Sequence, residues 1–346
     1  MNFQIAALLT QDGLTNGAIY ALLALALVLV FTVTRVVFVP QGEFVAFGTL
    51  SLAALQTGTA PKTIWLLLGM AVVATSMEIV ALARRHAAPR RYAIAVAWWL
   101  GLPLLVAALL WFAAPLKLAF PLQVALAVIS VTAFGPLLYR IAIQPVAQGS
   151  VLVLLIVAVA IHFVLSGLGL LFFGAEGSRT PAFSDAAFRL GDINVTGQSL
   201  YVYAASLICI GGLYWAFGRT LYGKALMATA FNRVGARLVG ISPNLAGSLT
   251  LTVAALLGAF SGVLIGPITT VYYDSGFLVG LKGFVGAIIG GLVSYPAAAA
   301  GALLIGLIES FASYWASQYK EVIVFTLILP VLLWRSLTTH HHEEDQ

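Results

Sequence analysis

Apolar runs alternate with short polar stretches along this chain, and most of the runs reach the roughly 20 residues needed to cross a bilayer. They fall at 14–34, 38–58, 64–83, 92–114, 121–141, 151–173, 200–217, 246–271, 279–294, 298–316 and 321–335. The second, ninth and last are short or marked by Gly and Pro, which predicts broken or re-entrant segments there. The pattern therefore predicts an all-α, polytopic transmembrane helical bundle of about 8–11 membrane segments.

Two polar intervals are longer than the rest. Residues 174–199 spread Gly, Pro, Ser, Asp and Asn between two runs, enough for a short strand pair or a small external helix. A plain solvated connector is the simplest reading of such a loop; an outer rim that receives another protein is the functional one. The interval 218–244 carries Arg219, Lys224, Arg233 and Arg237 and no acid. A helix would put Arg233 and Arg237 on one face, four residues apart, beside an apolar stripe of Val234, Leu238 and Ile241. Small residues at 223, 225, 228, 230, 235 and 236 let another surface approach the backbone. Such a helix is either a docking element for a cytoplasmic partner or a membrane-surface helix.

Composition settles the class. The chain of 346 residues is 61% hydrophobic and 8% charged, against roughly 25% charged in soluble domains. A sizeable water-exposed domain is excluded, and the net charge of +5 belongs to loop cations and does not suggest nucleic-acid binding. Arg84, Arg85, Arg90 and Arg91 crowd one loop, the 219–237 cluster marks a second, and Arg35, Arg140 and Arg335 end other runs. If every run crosses once, all of these lie on one side, which is then cytoplasmic. The same count puts loop 174–199 and the N-terminus outside and the C-terminus inside. In loop 174–199, Arg179 and Arg189 are balanced by Glu176, Asp185 and Asp192. The N-terminus has no basic n-region or cleavage site, so the first run reads as a span and not a cleaved signal. The single Cys209 rules out a disulfide framework.

Small residues recur every four positions at Ala254, Gly258, Gly262 and Gly266, and again at Gly286 and Gly290. This ladder brings helix backbones together, as tight packing inside the subunit, as a helix pair that must slide, or against a partner subunit on the same face. Ionisable residues within the runs are few. Glu43 follows Pro40, Gln41 and Gly42 at a helix break. Glu78 lies about a turn and a half from Arg84 and Arg85, which predicts pairing with them near the interface. His162 stands alone and reads as a hydrogen-bonded packing residue. Lys282 lies near the end of its Gly-rich run and is placed to snorkel, with Glu309 doing the same at the other end of its helix. The terminal His340, His341 and His342 read as part of a frayed, solvated tail and not as a metal site.

This inventory argues against an ion-coupled carrier, which needs an Asp/Glu/His relay or an unwound ion site near the midplane. It also argues against an enzyme, and no metal or cofactor is expected. No Gly-x-x-x-x-Gly-Lys-Ser/Thr loop is present to bind ATP. Uphill transport would then draw its energy from another subunit.

Four blocks carry a family resemblance: GLTNGAIYALLALALVLVF at 13–31 with QGEFVAFG at 41–48; EGSR at 176–179; GKALMATAFNRVGARLVGIS at 223–242; and GLKGFVGAIIGGLVSYPAAAAGALLIGLIES at 280–310 with KEVIVFTLILPVLLWR at 320–335. With these, the chain resembles the permease subunits of bacterial branched-chain amino acid ABC importers, specifically the H-type permease of the high-affinity system. The resemblance implies a single transmembrane permease domain over 1–346, with 60–120 as an insertion carrying extra helices, 174–199 as the periplasmic loop and 218–244 as the cytoplasmic coupling loop. It implies ATPase-coupling positions at Gly223, Lys224, Ala225, Ala228, Ala230, Asn232, Arg233, Arg237 and Gly240. Phe231 stands where the family commonly has an acid. Gln41, Gly42, Glu43 and Lys282 are the expected pathway or helix-break residues; of the family's Asn-Phe-Ala-His-Gly-Glu stretch only Gly42 and Glu43 match. Implied partners are a second permease, two cytoplasmic ATP-binding subunits, a periplasmic substrate-binding protein, a small amino-acid substrate and membrane lipid, in the bacterial inner membrane. Leu, Ile and Val are the implied cargo. The same architecture could serve urea, short amides or other amino acids, and a self-sufficient carrier or channel is the reading from a different class.

Overall fold

The computed structural model describes residues 3–184, 186–190 and 193–333. Arg335, Asp185, Asp192 and the 338–346 tail with its three histidines lie outside the described residues. In chain order the helices are α1 (Phe3–Thr34), α2 (Gln41–Gln56), α3 (Thr63–Arg84) and α4 (Pro89–Val96), which runs through a π-helical turn, Ala97–Gly101, into α5 (Leu102–Ala113). Next come α6 (Phe120–Thr132), α7 (Phe134–Leu138) with a second π-helical turn, Tyr139–Ile143, and α8 (Val151–Phe173). Two strands follow, β1 (Ala187–Leu190) and β2 (Ile193–Thr196), then α9 (Gly197–Arg219), α10 (Leu221–Phe231) and α11 (Arg233–Leu238). The chain continues with α12 (Pro243–Ile265), α13 (Ser275–Ile289), α14 (Tyr295–Trp315) and α15 (Lys320–Thr326). Each sequence run has a helical counterpart.

Among the described residues, eight helical stretches are long and apolar enough to cross a membrane. The three short runs are the ones that fall below that length. α2 has 16 residues, α13 has 15, and the last run is split into α15 and a turn-separated stretch over 328–333. α1 starts well before the apolar run at residue 14. Its first turns carry Thr10, Gln11 and Asp12, and Thr10 Oγ1 donates to the Ala6 carbonyl at 2.8 Å. Loop 174–199 holds an antiparallel pair, β1 with β2, in which Phe188 is opposite Val195.

The chain divides into two units, taken from the described parts of Met1–Val28, Ala182–Tyr214 and Leu278–Gln346, and of Leu29–Pro181 and Trp215–Phe277. In the first, glycines let α1, α13 and α14 meet at backbone distance. A Cβ on Gly306 of α14 would lie 2.5 Å from Gly17 Cα, and one on Gly286 of α13 would lie 2.8 Å from Ala302 Cα. Gly290 is likewise closed by Ala298, at 2.7 Å from its Cα. Hydroxyls attach α9: Tyr203 donates to the Gln11 carbonyl at 3.0 Å.

The second unit is built around α2. Thirteen of its residues are buried, including the polar Gln41, Glu43, Thr49 and Ser51. The small-residue ladder of α12 is what covers it. Gly258 is closed by Phe44, Gly262 by the backbone of Val45 and Gly266 by Thr49 and Thr180, while Gly48 of α2 reciprocates against the Ala259 backbone. Gln41 Nε2 donates to the Ala254 carbonyl at 2.9 Å, and Thr49 Oγ1 to the Gly262 carbonyl at 2.6 Å. Within the subunit the ladder is thus in contact with α2 along its length.

α12 also fixes the two ends of this unit. At 1.5 Å per residue its 23 residues extend about 34 Å, enough to cross a core of about 30 Å. Past its C-terminal end, Arg179 donates to the Pro267 carbonyl at 3.1 and 2.9 Å, and Ser178 pairs with Val271 across a β-bridge. At its N-terminal end, Pro243, Asn244 and Gly247 line a cavity together with Thr34, Gln144, Arg233 and Arg237. Gln144 and Pro145 also line a neighbouring cavity with Arg84, Arg85 and Arg140. Arg84, Arg85, Arg140, Arg233 and Arg237 of this unit thus gather at one end, and the 178–180 segment lies at the other.

Candidate functional site

The 218–244 interval is not one amphipathic helix but an elbow of two, each with its own start signal. Thr220 accepts at Oγ1 from the Gly223 amide at 3.0 Å to begin α10, and Asn232 accepts at Oδ1 from the Gly235 amide at 2.9 Å to begin α11. Ser242 does the same for α12, with the Leu245 amide at 3.4 Å. These are N-cap residue types at N-cap positions. Asn232 is extended, at φ −150 and ψ 102, so α10 stops and the chain turns. Gly240 ends the elbow at φ 84, a conformation that a Cβ disfavours.

Gly223 is buried against the end of α9, where a Cβ would lie 2.6 Å from Phe217 Cα. Leu226 and Thr229 continue the buried side of α10 at a spacing of three, while Lys224 points outward and Ala225, Ala228 and Ala230 are half-buried. The outer surface is apolar: Leu221, Tyr222, Val234 and Val239 are all exposed, with Phe231 at 84% and Leu238 at 83%.

Arg233 and Arg237 do share a face, as their spacing predicts. Both line a cavity of about 530 Å³ that no acid enters. Arg233 is pinned by Nη1 to the Ala147 carbonyl at 3.2 Å and by Nη2 to the Val33 carbonyl at 3.1 Å. It therefore ties the elbow to the end of α1 and to the turn before α8. Arg237 has no acceptor among the described residues.

A second polar point lies at the start of α2, where Pro40 precedes the first turn. Gly42 meets Gly276 backbone to backbone; a Cβ on Gly276 would lie 2.7 Å from Gly42 C. Glu43 is fully buried, with Oε1 2.6 Å from His162 Nδ1. The imidazole stacks on Phe277 with centroids 4.4 Å apart. His162 is therefore hydrogen-bonded, as expected, but it does not stand alone: it joins α8 to α2. The second oxygen of Glu43, Oε2, and Oε1 of Gln41 are buried without a partner.

Three other expectations need correction. Lys282 does not snorkel and neither does Glu309. Both are buried in the first unit, with Nζ of Lys282 2.6 Å from Glu309 Oε1 and 3.1 Å from Glu321 Oε1. Tyr20 donates to Glu309 Oε2 at 2.7 Å. A charge that finds a partner in the membrane has no need to reach for water. Lys282 and the Gln41–Glu43 stretch, grouped by sequence, belong to different units. Glu78 binds not Arg84 or Arg85 but Arg140, whose Nε is 2.8 Å from its Oε2. Glu78 lines a cavity with Arg140 beside the π-helical turn after α7, whereas Arg84 and Arg85, more than a turn and a half further on at the end of α3, line a different one.

Among the described residues no three His, Cys, Asp or Glu side chains gather as metal ligands. What the second unit contains is a capped, apolar-surfaced elbow, joined through Ser242 to α12, which is packed at backbone distance on a buried helix.

Comparison with known proteins agrees with this architecture. The family model described as branched-chain amino acid transport system / permease component matches residues 9–332. The chain is 31% identical over 218 residues to the high-affinity branched-chain amino acid transport system permease protein BraD of Pseudomonas aeruginosa, covering 61% of this chain and 71% of that protein. It is 28% identical over 214 residues to the permease protein LivH of the corresponding system in Salmonella typhimurium and in Escherichia coli, covering 60% of this chain and 70% of theirs. No solved structure gives a significant match. With the matched region taking in both units, the elbow and the α2–α12 seam, this multi-pass membrane protein belongs to the branched-chain amino acid transport system permease component family.

Proposed function

We propose that the chain is a translocation subunit of an ATP-driven importer for Leu, Ile and Val in the bacterial inner membrane. Residues 1–346 act as one permease domain that performs no chemistry of its own. The observation that carries this reading is the elbow: a pair of short helices whose outer surface exposes Leu221, Tyr222, Phe231, Val234, Leu238 and Val239 at the cation-rich end of its unit. Exposed apolar residues in such a row are characteristic of a covered interface. The elbow's occupant is a cytoplasmic ATP-binding subunit; Lys224, Ala225, Ala228, Asn232, Arg237 and Gly240 form the contact, while Gly223 and Arg233, turned inward, seat the elbow on its own unit. A second permease, a second ATP-binding subunit and a periplasmic binding protein complete the importer, the last docking on the 174–199 side.

The packing supports a relay. Arg233 ties the elbow to the Ala147 and Val33 carbonyls, and Ser242 starts α12 directly after it. Because α12 meets α2 backbone to backbone, a displacement of the elbow passes to α2 without being absorbed by flexible side chains. α2 carries Gln41, Gly42 and Glu43 at its start, so motion at the ATPase reaches the helix break. A permease needs only a conduit with two arrangements and a lever that biases them.

The test is reconstitution of the assembled transporter in vesicles with Arg233 and Arg237 both changed to Glu. ATP hydrolysis is expected to persist while leucine uptake falls at least tenfold, with the subunits still co-purifying. Uptake at the wild-type rate would mean that the cations serve only to orient the chain. Leucine flux through vesicles that hold this chain alone would favour a self-sufficient carrier.

A further inference from the structure

The turn between α3 and α4 and the cleft beside it are not used by the relay just described. α3 presents Met77, Val80 and Ala81 to this cleft, then Arg84 and Arg85 one turn further on; Arg140 closes it from the π-helical turn after α7. The volume is about 630 Å³. No acid lines it: Glu78 points into the neighbouring cavity, where it binds Nε of Arg140. Arg84 and Arg85 have no partner among the described residues. The wall is thus divided along the helix axis, apolar toward the membrane interior and cationic at its end. Val72, Val73 and Val80 continue the apolar part as an exposed surface on α3.

We propose that this cleft binds an anionic phospholipid, with Arg84, Arg85 and Arg140 holding the headgroup phosphate and the α3 stripe carrying an acyl chain. Guanidinium groups match phosphate oxygens in geometry as well as charge, and basic clefts between spans at the cytoplasmic end are the usual seats of such headgroups. A free phosphate fits less well. It would fill little of the volume and would leave Met77, Val80 and Ala81 facing nothing. An orientation signal needs cations near the boundary but no cleft, and Arg90 and Arg91, in the first turn of α4 but outside the lining, supply the comparison. The proposal rests only on the membrane placement, so it stands or falls separately from the assignment of cargo and ATPase.

The test is native mass spectrometry of the full chain, purified in mild detergent with its co-purifying subunits and titrated with phosphatidylglycerol. Retention is expected on the wild type, with phosphatidylcholine of matched chains binding at least tenfold more weakly. Arg84→Gln with Arg85→Gln is expected to weaken phosphatidylglycerol by about tenfold or more, since removing one arginine near the surface is a several-fold effect. Arg90→Gln with Arg91→Gln is expected to change it less than threefold. Equal losses in the two double variants would reduce the effect to a diffuse field and overturn the proposal, as would equal retention of phosphatidylcholine. Full displacement of the lipid by millimolar inorganic phosphate would identify a free-anion site and also overturn it. If the double variant is not monodisperse, the single variants carry the test, each with an expected loss of about threefold.

Discussion

Replacing Gly48 with Ala tests the seam on which the relay depends. The added methyl would lie 2.5 Å from the Ala259 carbonyl oxygen and 2.9 Å from its Cα, both backbone atoms of α12. Ordinary contact begins near 3.4 Å, so α2 and α12 must part locally by about 0.9 Å. A gap of about that size forfeits a quarter to a half of each dispersion contact along the seam. It also stretches the adjacent Thr49-to-Gly262 hydrogen bond, now 2.6 Å, past the roughly 2.5–3.0 Å range of an O–H···O bond. Overpacking of about 1–3 kcal/mol and the loss of one buried hydrogen bond, about 0.5–1.5 kcal/mol, together destabilise by roughly 2–4 kcal/mol. Gly167→Ala in α8 is the control, because nothing lies within 4 Å of its added methyl. In a helix interior it should be neutral or stabilise by up to about 1 kcal/mol. The assay is thermal unfolding of both variants in the same detergent, followed by tryptophan fluorescence. Gly48→Ala is expected to fall by several degrees and Gly167→Ala to hold or rise. Indistinguishable midpoints would refute the backbone-distance packing of α12 on α2, and with it the path from elbow to helix break.

Gly262→Ala, closed by the Val45 backbone at 2.9 Å from its carbonyl carbon, should destabilise in the same sense as Gly48→Ala, and the two effects should be less than additive because they relieve one another's clash. Lys282→Met leaves Glu309 and Glu321 without their cation, and breaking a buried pair in this way costs about 3–5 kcal/mol; a thermal midpoint equal to wild type would show that the pair does not form in the membrane. Tyr20→Phe removes a hydrogen bond to the Glu309 carboxylate and should cost about 1.5–3 kcal/mol, again read by thermal unfolding. A double-mutant cycle over Glu43→Gln and His162→Ala should give a coupling of about 1–3 kcal/mol; strict additivity would separate the two side chains.

The crossing segments were legible because a bilayer imposes length and apolarity on each helix in isolation. So were the interruptions: Pro40 and the Gly-rich ninth run mark α2 and α13 as short before any packing is known. The spacing of Arg233 and Arg237 gave their shared face, since it is a property of one helix turn. The break between α10 and α11 was equally local, and Asn232 ahead of Arg-Val-Gly is a start signal that a cap-by-cap reading finds. The side-chain pairings across the membrane were not legible. Glu43 with His162 spans 119 residues and Glu78 with Arg140 spans 62. The sequence shows that each such residue needs a partner in the membrane, but the choice of partner is made by the way the helices stack. Proximity along the chain misled for Glu78, because Arg84 lies about 120° around the helix and Arg85, though nearer in phase, sits about 10 Å along the axis and past the last residue of α3. The Lys282 cluster was missed for the same reason: Glu309 and Glu321 arrive from α14 and α15, 27 and 39 residues on.

The smothering of α2 has a consequence for how the chain is made. This helix bears a carboxylate and a carboxamide, and at 16 residues it reaches only about 24 Å. It is poorly suited to enter lipid on its own. Yet the carbonyl that receives Gln41 is 213 residues further along, which at about 5–20 residues per second is synthesised roughly 10–40 s later. During that interval the nascent segment must wait at the translocon, at the bilayer surface or under a chaperone, and it can settle only when the ribosome has delivered α12. Biogenesis of this permease therefore cannot proceed strictly from the first helix to the last.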